Sequence, residues 1–199
     1  MPDATEHLFS ILSQADFLSM KGLANEVPIF IYTYEPHEED ALQRVVNNLA
    51  SRLRAKGITL AVVDLFDLFL DQLEEEKRLD RIVEMEAYMG KQKLLELLGN
   101  LADPQSRLIP RLMQRMGGDD IRLTLLTGVG RVFPFLRTHT ILESLQPAMM
   151  PHPVVMFFPG HYTQENGIGS QLRLFGSIPS PPLYRPYYRA FNLAHYRLS

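Results

Sequence analysis

The segment Ile121–Thr140 constrains the fold more than any other stretch of this sequence. Apolar side chains recur at every second position from Ile121, a spacing that predicts a short β-strand. Gly128 and Gly130 then end the strand, and Pro134 stands where the first turn of a helix accepts proline. A strand, a glycine turn and a helix form the unit from which parallel α/β sheets are built. We therefore expect an α/β fold in which this turn lies beyond the carboxyl end of a strand.

The two glycines of that turn do not match a nucleotide-binding motif. A phosphate-binding loop needs a lysine for the phosphates and a following hydroxyl for magnesium, whereas residues 128–132 read GVGRV. The dinucleotide pattern GxGxxG fails as well, because Phe133 and Pro134 stand where the third glycine belongs. The glycines are therefore predicted to serve backbone geometry alone.

Three further apolar runs predict core strands. Together with residues 121–126, the predicted strands cover residues 27–34, 58–63 and 154–158. Residues 65–117 carry a continuous helical pattern that is too long for one crossover helix, so we expect a helical insertion on the sheet. The predicted fold is a single α/β domain over residues 1–199. It has a parallel-rich central sheet flanked by helices and a P-loop-like topology without a phosphate loop.

Asp64 follows the second predicted strand directly and has two interpretations. An acidic residue at this position holds magnesium in P-loop enzymes, and it can also cap the N-terminus of the next helix. Because the phosphate-binding loop is missing, we favour the helix cap.

Other motifs for catalysis or metal binding are missing from the sequence. The chain has no cysteine, and its six histidines form neither HxxxH nor HExxH. The nucleophile motif GxSxG is absent too. We therefore expect no catalytic residues, no cofactor and no metal site, and the protein is not predicted to be an enzyme.

The N-terminus and the apolar stretches of the chain bear on its location. The N-terminal residues lack the basic segment and long apolar run of a signal peptide, and the apolar stretches are shorter than a membrane span. We expect a cytoplasmic protein that does not bind a membrane.

The net charge of −3 is unevenly distributed. Residues 1–100 contain 18 acidic and 10 basic residues, whereas residues 101–199 contain 5 acidic and 10 basic residues. The basic half could bind phosphate or an acidic protein surface, or it could pair with the acidic half inside the fold, which we favour. The candidate interaction residues are Arg131, Arg137, Arg173, Arg185 and Arg189.

Aromatic residues near the C-terminal arginines could stack on nucleic-acid bases, or they could pack in the core. We favour the core and expect four of the aromatic side chains to be mostly buried. They are Phe158, Phe175, Tyr188 and Phe191.

Four segments of the chain, taken in order, resemble one known protein family. They read LTLLTGVGRVFPFLRTHTILESL, PVVMFFPGHY, LRLFG and YYRAFNL, and the N-terminal PIFIYTYEPHEED fits the same pattern. Their order and spacing resemble the BrxB family of bacterial BREX phage-defence systems, from about Val27 to Leu193. Each segment alone is weakly specific, the ordered set is strongly specific, and residues 65–117 contribute little.

The resemblance implies a non-catalytic interaction subunit that works with other BREX proteins, including the phosphatase-superfamily protein PglZ. It implies no established catalytic activity. The alternative is a nucleic-acid or nucleotide-binding component of the same system, which would use residues 128–131 and the C-terminal arginines. A continuous arginine face would favour nucleic acid, whereas scattered and paired arginines would favour protein contact.

Overall fold

A computed structural model describes residues 2–21, 28–145, 151–165, 169–179 and 191–193. The helices run over Pro2–Leu12 (α1), Ala15–Leu18 (α2), Glu39–Ala55 (α3), Leu65–Glu75 (α4), Leu79–Glu86 (α5), Lys91–Leu101 (α6), Ile109–Met116 (α7) and Thr138–Leu145 (α8). The strands run over Ile29–Tyr34 (β1), Leu60–Asp64 (β2), Leu123–Thr127 (β3), Val154–Glu165 (β4), Gly169–Leu174 (β5), Ile178–Pro179 (β6) and Phe191–Asn192 (β7). A 3₁₀ turn at Pro36–Glu38 and a π-helical turn at Pro104–Leu108 precede α3 and α7.

The central sheet is parallel and has the strand order β2-β3-β4-β1-β7. Val62 of β2 pairs with Leu125 of β3, and Phe30 of β1 pairs with Val155 of β4. All four predicted core strands therefore lie in one sheet, with boundaries that differ by up to two residues on β1 to β3, while β4 continues beyond its prediction. This confirms the expected α/β fold with a parallel-rich sheet flanked by helices.

Two hydrophobic layers cover the two faces of the sheet, as the alternation of strand side chains requires. On β1, Ile29 and Ile31 face the layer formed by α4, α6, α7 and α8. Phe30 and Tyr34 face the other layer, which α1, α2 and α3 form. Both layers bury a long stripe of leucine, isoleucine and phenylalanine, so the sheet lies between two helical layers.

Residues 65–117 form helices α4 to α7, as their sequence pattern predicts. Helices α4 and α7 contact β2 directly, and Phe69, Leu101 and Leu112 belong to the core. Only α5 among these helices has no buried residue, and Val83 on this helix is 60% exposed. The segment therefore contributes a structural layer of the domain.

The helix predicted to begin at Pro134 begins later, at Thr138. Residues 128–136 form successive turns, in which the N–H of Val132 donates to the carbonyl of Gly128 and the N–H of Leu136 donates to the carbonyl of Val132. These turns bury Val132 and Leu136 in the core. The prediction was wrong because proline also suits turns, and the burial of these apolar side chains determines the path of the chain here.

The glycine-rich stretch from His161 to Ser170 predicts a loop, and this was wrong for residues 161–165 and 169–170, which lie in strands, while residues 166–168 lie outside the described residues. The strand β4 continues to Glu165 and pairs antiparallel with β5. Gly160 makes the pairing possible, because a β-carbon at this position would stand 2.1 Å from the carbonyl oxygen of Arg173. Its φ of +143° is also accessible mainly to glycine.

The predicted burial of aromatic side chains has mixed outcomes. Phe158 is fully buried, as expected. Phe175 is 39% exposed and has a φ of +54° in the turn after β5, where its ring contacts Phe133 edge to face. The turn lifts this side chain out of the core, so its predicted burial was wrong. Tyr188 and the Phe191 side chain lie outside the described residues.

Candidate functional site

Three strands of the central sheet, the neighbours β2 and β3 and, beyond β4, β1, end on the same side of the sheet and carry polar side chains there. β1 ends at Tyr34, β2 ends at Asp64 and β3 ends at Thr127. Because ligands of parallel α/β sheets bind beyond the carboxyl ends of the strands, this end of the sheet is the candidate site.

Asp64 is the centre of the polar contacts at this end of the sheet. Its Oδ1 accepts hydrogen bonds from the N–H groups of Phe66 at 2.9 Å and Asp67 at 3.2 Å. These bonds cap the N-terminus of α4, which confirms the prediction of a helix cap. Its Oδ2 accepts a hydrogen bond from the Thr127 hydroxyl at 2.9 Å.

The glycine turn packs tightly against this carboxylate. Gly128 has a φ of +76°, and a β-carbon there would stand 2.3 Å from the Asp64 Oδ1. At Gly130, a β-carbon would stand 2.8 Å from Pro159. Both glycines therefore serve backbone geometry and close packing, as the sequence predicts.

Arg131 completes the contacts of Asp64 from the same turn. Its Nη2 lies 2.5 Å from the Asp64 Oδ2 and 3.3 Å from the Asp67 Oδ1, and the guanidinium carbon lies 5.3 Å from the centre of the Phe66 ring. Burial lowers the pKa of Arg131, but the hydrogen bond to Asp64 and the nearby carboxylates outweigh it and leave the pKa above its usual value. The side chain is 42% exposed, so the same guanidinium is both paired and accessible.

Tyr34 and Glu39 close the end of β1. The Tyr34 hydroxyl donates to the Glu39 Oε2, and Tyr34 is 5% exposed. Burial raises the pKa of the Tyr34 phenol, and the hydrogen bond to Glu39 raises it further. The carboxylate of Glu39, the first residue of α3, is therefore bonded to the end of β1.

A cleft of about 570 Å³ lies beside this network, between α3, α4 and α7. Two arginines and five acidic residues line the cleft, so acidic side chains are in excess. The arginines are Arg115 and Arg131, and the acidic residues are Glu39, Asp40, Asp64, Asp67 and Asp71. The exposed Val62 also lines it, on the outermost strand of the sheet.

Among the five arginines predicted as interaction residues, Arg131 alone is described as lining this cleft. Arg137 is exposed in the segment before α8, and Arg173 is exposed on β5, where it donates to the side-chain oxygen of Gln171 at 3.4 Å. Arg185 and Arg189 lie outside the described residues. The sequence does not predict that Glu39 bonds to Tyr34 or that Thr127 bonds to Asp64, although Thr127 directly follows a predicted strand.

Most ion pairs in the described residues join arginines to acidic side chains within the fold. Besides Arg131, the paired residues are Arg52 with Glu6, Arg78 and Arg107 with Glu76, Arg111 with Glu75, and Arg115 with Asp71. Three of these pairs, those of Arg107, Arg111 and Arg115, connect α4 and its C-terminal end with α7 and the turn before it. Six of the twelve arginines in the described ranges are therefore paired with acidic side chains, and these pairs are scattered over several elements.

Two absences among the described residues bear on the class of site. No cluster of three or more histidine or acidic side chains among them has an arrangement suited to a metal ion. Every helix in the described ranges is too short or too polar to cross a lipid bilayer.

Comparison with known proteins identifies the family. The family model described as BREX protein BrxB matches residues 61–193. A BREX protein BrxB from Bacillus cereus (strain H3081.97) is 34% identical over 186 residues, covering 92% of this chain and 91% of the relative. The BREX protein BrxB of Escherichia coli O9:H4 (strain HS) is 27% identical over 184 residues, covering 92% and 86%. No solved structure matches the chain significantly. The chain therefore belongs to the BrxB family of BREX phage-defence systems.

Proposed function

We propose that this chain is a non-catalytic interaction subunit of a BREX system, acting in the cytoplasm by docking to other defence proteins. The proposal rests on the contacts of Asp64, because its carboxylate is already bonded to other groups of the protein. Both of its carboxylate oxygens accept hydrogen bonds from the protein itself, and Arg131 pairs with one of them. A carboxylate bonded in this way stabilises the fold and is not free for catalysis. We therefore infer that the chain acts through contacts of its surface with other proteins.

The charge distribution supports a protein partner over a nucleic acid. A nucleic-acid surface needs a continuous array of unpaired basic side chains, because affinity comes mainly from phosphate contacts. In the described part of the chain most arginine ion pairs join neighbouring elements, and the cleft is acidic. Acidic and basic surfaces of this kind favour steered, orientation-specific docking.

The family resemblance suggests PglZ as the partner, and size-exclusion chromatography tests whether the two proteins bind each other. The purified chain is mixed with PglZ at low and at moderate salt, and a parallel sample contains a DNA duplex in place of PglZ. We expect co-elution with PglZ that salt weakens, and poor binding to the duplex, since the net charge of the chain is −3.

The second candidate function is a nucleic-acid or nucleotide-binding component of the same system. The exposed side chains of Arg137 and Arg173 favour it, since neither forms an ion pair among the described residues. Co-elution with the duplex but not with PglZ would reverse the ranking of the two functions.

A further inference from the structure

The outer edge of β2 is a sheet edge that the described fold leaves open. β2 stands at one end of the strand order and pairs with β3 alone. The N–H of Thr124 on β3 donates to Pro153 at the start of β4, so the backbone groups of Leu123 and Leu125 point to β2. The matching alternation on β2 turns the backbone groups of Ala61 and Val63 toward β3 and those of Val62 away from it.

Val62 therefore presents an unpaired N–H and an unpaired C=O at this edge. No backbone hydrogen bond from Val62 to another described residue crosses the outer side of β2. Val62 is 37% exposed and lines the cleft described above. The backbone groups and the apolar side chain are thus presented together inside a concave surface.

Natural sheet edges are usually protected by lysine, by proline or by a bulge. The residues of β2 read LAVVD and contain neither lysine nor proline, and their pairing with β3 continues without a bulge. An open edge of this kind binds an extended peptide as an added strand, with main-chain hydrogen bonds supplying affinity and side-chain contacts supplying specificity.

The acidic side chains around the edge determine which peptide fits. Asp40 is exposed in the first turn of α3 and forms no ion pair among the described residues, whereas Asp67 and Asp71, which flank the cleft from α4, are paired with Arg131 and Arg115. A basic side chain on the added strand would find uncompensated negative charge here. Two copies of this chain would instead bring two acidic clefts together, which opposes pairing of β2 with itself.

We propose that the edge of β2 captures an extended segment of a partner protein in which apolar residues alternate with arginine or lysine. The segment adds a strand beside Val62 and places a basic side chain near Asp40. The inference rests on the proposed function, since it names the surface and the peptide chemistry through which docking would occur.

Two synthetic peptides test the chemistry on the full chain. In one, valine alternates with arginine, and in the other, valine alternates with glutamate. Nitrogen–proton correlation spectra should show the Val62 amide shifting with the arginine peptide only, and its hydrogen exchange slowing by about tenfold as its N–H becomes bonded. Equal binding of both peptides, or shifts that leave the Val62 amide unchanged even at high peptide concentration, would overturn the proposal.

Matched variants separate the edge from the rest of the surface. Val62→Pro removes the N–H that points away from β3 and removes no hydrogen bond to β3, and edge strands tolerate proline at such a position. Val62→Thr keeps this N–H and is the control. Asp40→Lys should weaken the arginine peptide about fivefold, whereas Asp80→Lys, an exposed acid in the first turn of α5, should not. If Val62→Pro fails to fold, the pair Asp40→Lys and Asp80→Lys decides alone, and equal effects of these two would refute the charge argument.

The same variants distinguish this inference from the proposed function. Loss of co-elution with PglZ in Val62→Pro and Asp40→Lys, but not in their controls, would support both. Unchanged co-elution of all four variants would overturn the edge of β2 as the docking surface and leave the proposed function standing. A wild-type chain that binds the arginine peptide but no defence protein would instead count against the proposed function. A stable dimer that Val62→Pro dissociates would overturn the choice of occupant.

Discussion

The carboxylate of Asp64 fills the space that a β-carbon on Gly128 would need, since that carbon would stand 2.3 Å from Oδ1. Asp64 in turn caps α4, so the glycine turn after β3 and the helix after β2 depend on one contact. The strand exits of β2 and β3 are held together at this point.

We expect Gly128→Ala to lower the free energy of unfolding by about 2–4 kcal/mol, from the positive φ and the disturbed helix cap together. Gly57→Ala is the matched control, because Gly57 has a φ of +83° but a β-carbon there would have nothing within 4 Å. It should cost only about 1 kcal/mol. Urea denaturation measures both, and equal losses would contradict the role of Asp64.

Because Arg131 forms an ion pair with Asp64, reversing its charge is expected to destabilise the fold. The Arg131 side chain is 42% exposed, and that of Asp64 is 13% exposed. Arg131→Glu would put a third carboxylate beside those of Asp64 and Asp67. We expect a loss of about 1–3 kcal/mol of stability. Arg131→Met removes the guanidinium without adding a carboxylate and should lose less.

Binding assays then separate the two roles of Arg131. If Arg131 also contacts a partner, Arg131→Met should weaken that complex while the chain remains folded by circular dichroism. Arg137→Met, a change at an exposed arginine away from the cleft, serves as the comparison. A stable Arg131→Met protein with unchanged partner binding would assign Arg131 to the fold alone.

Local patterns in the sequence predict much of this fold. The apolar runs at β1, β2, β3 and the start of β4 identify the strands, because burial on both faces of a parallel sheet requires them. Asp64 is predictable as a helix cap, because the strand before it and the apolar helix after it are both visible in the sequence. These features depend on residues close together in the chain.

The candidate site depends on contacts between distant parts of the chain, and the sequence does not predict them. Arg131 is 67 positions from Asp64 in the numbering, and nothing in the residues near either one indicates their pairing. The strand order cannot be predicted from the sequence either, because it also depends on contacts between distant parts of the chain. The run LAVVD is typical of a central strand, yet β2 lies at the edge and exposes Val62.

We expect His152 to make the stability pH-dependent. Burial lowers the pKa of His152, whose Nε2 lies 2.8 Å from the Thr124 Oγ1 and whose Nδ1 is buried with no hydrogen-bond partner among the described residues. The unfolded chain therefore takes up the proton at a higher pH than the folded protein does. The contribution of His152 is complete above about pH 6.5 and is lost as the pH falls below that value.

Urea denaturation at about pH 7.5 and about pH 5.5 measures this effect in the wild-type chain and in His152→Gln, which cannot titrate. The wild-type chain should lose up to about 1.4 kcal/mol more than the variant between the two pH values. His37→Gln, at an exposed histidine, should behave as the wild-type chain does. Identical pH dependence in His152→Gln and the wild-type chain would rule out this role.

The last prediction is that the chain neither binds Mg-ATP tightly nor hydrolyses it. The end of β1 carries Tyr34 and the carboxylate of Glu39 where a nucleotide site would need backbone N–H groups and a lysine. The neighbouring cleft holds more acidic than basic side chains, so a triphosphate would meet repulsion there. Calorimetric titration with Mg-ATP should therefore give no heat of binding at micromolar concentrations. Micromolar binding, or turnover that Asp64→Asn abolishes while the chain stays folded, would contradict the prediction and make the strand exits a nucleotide site.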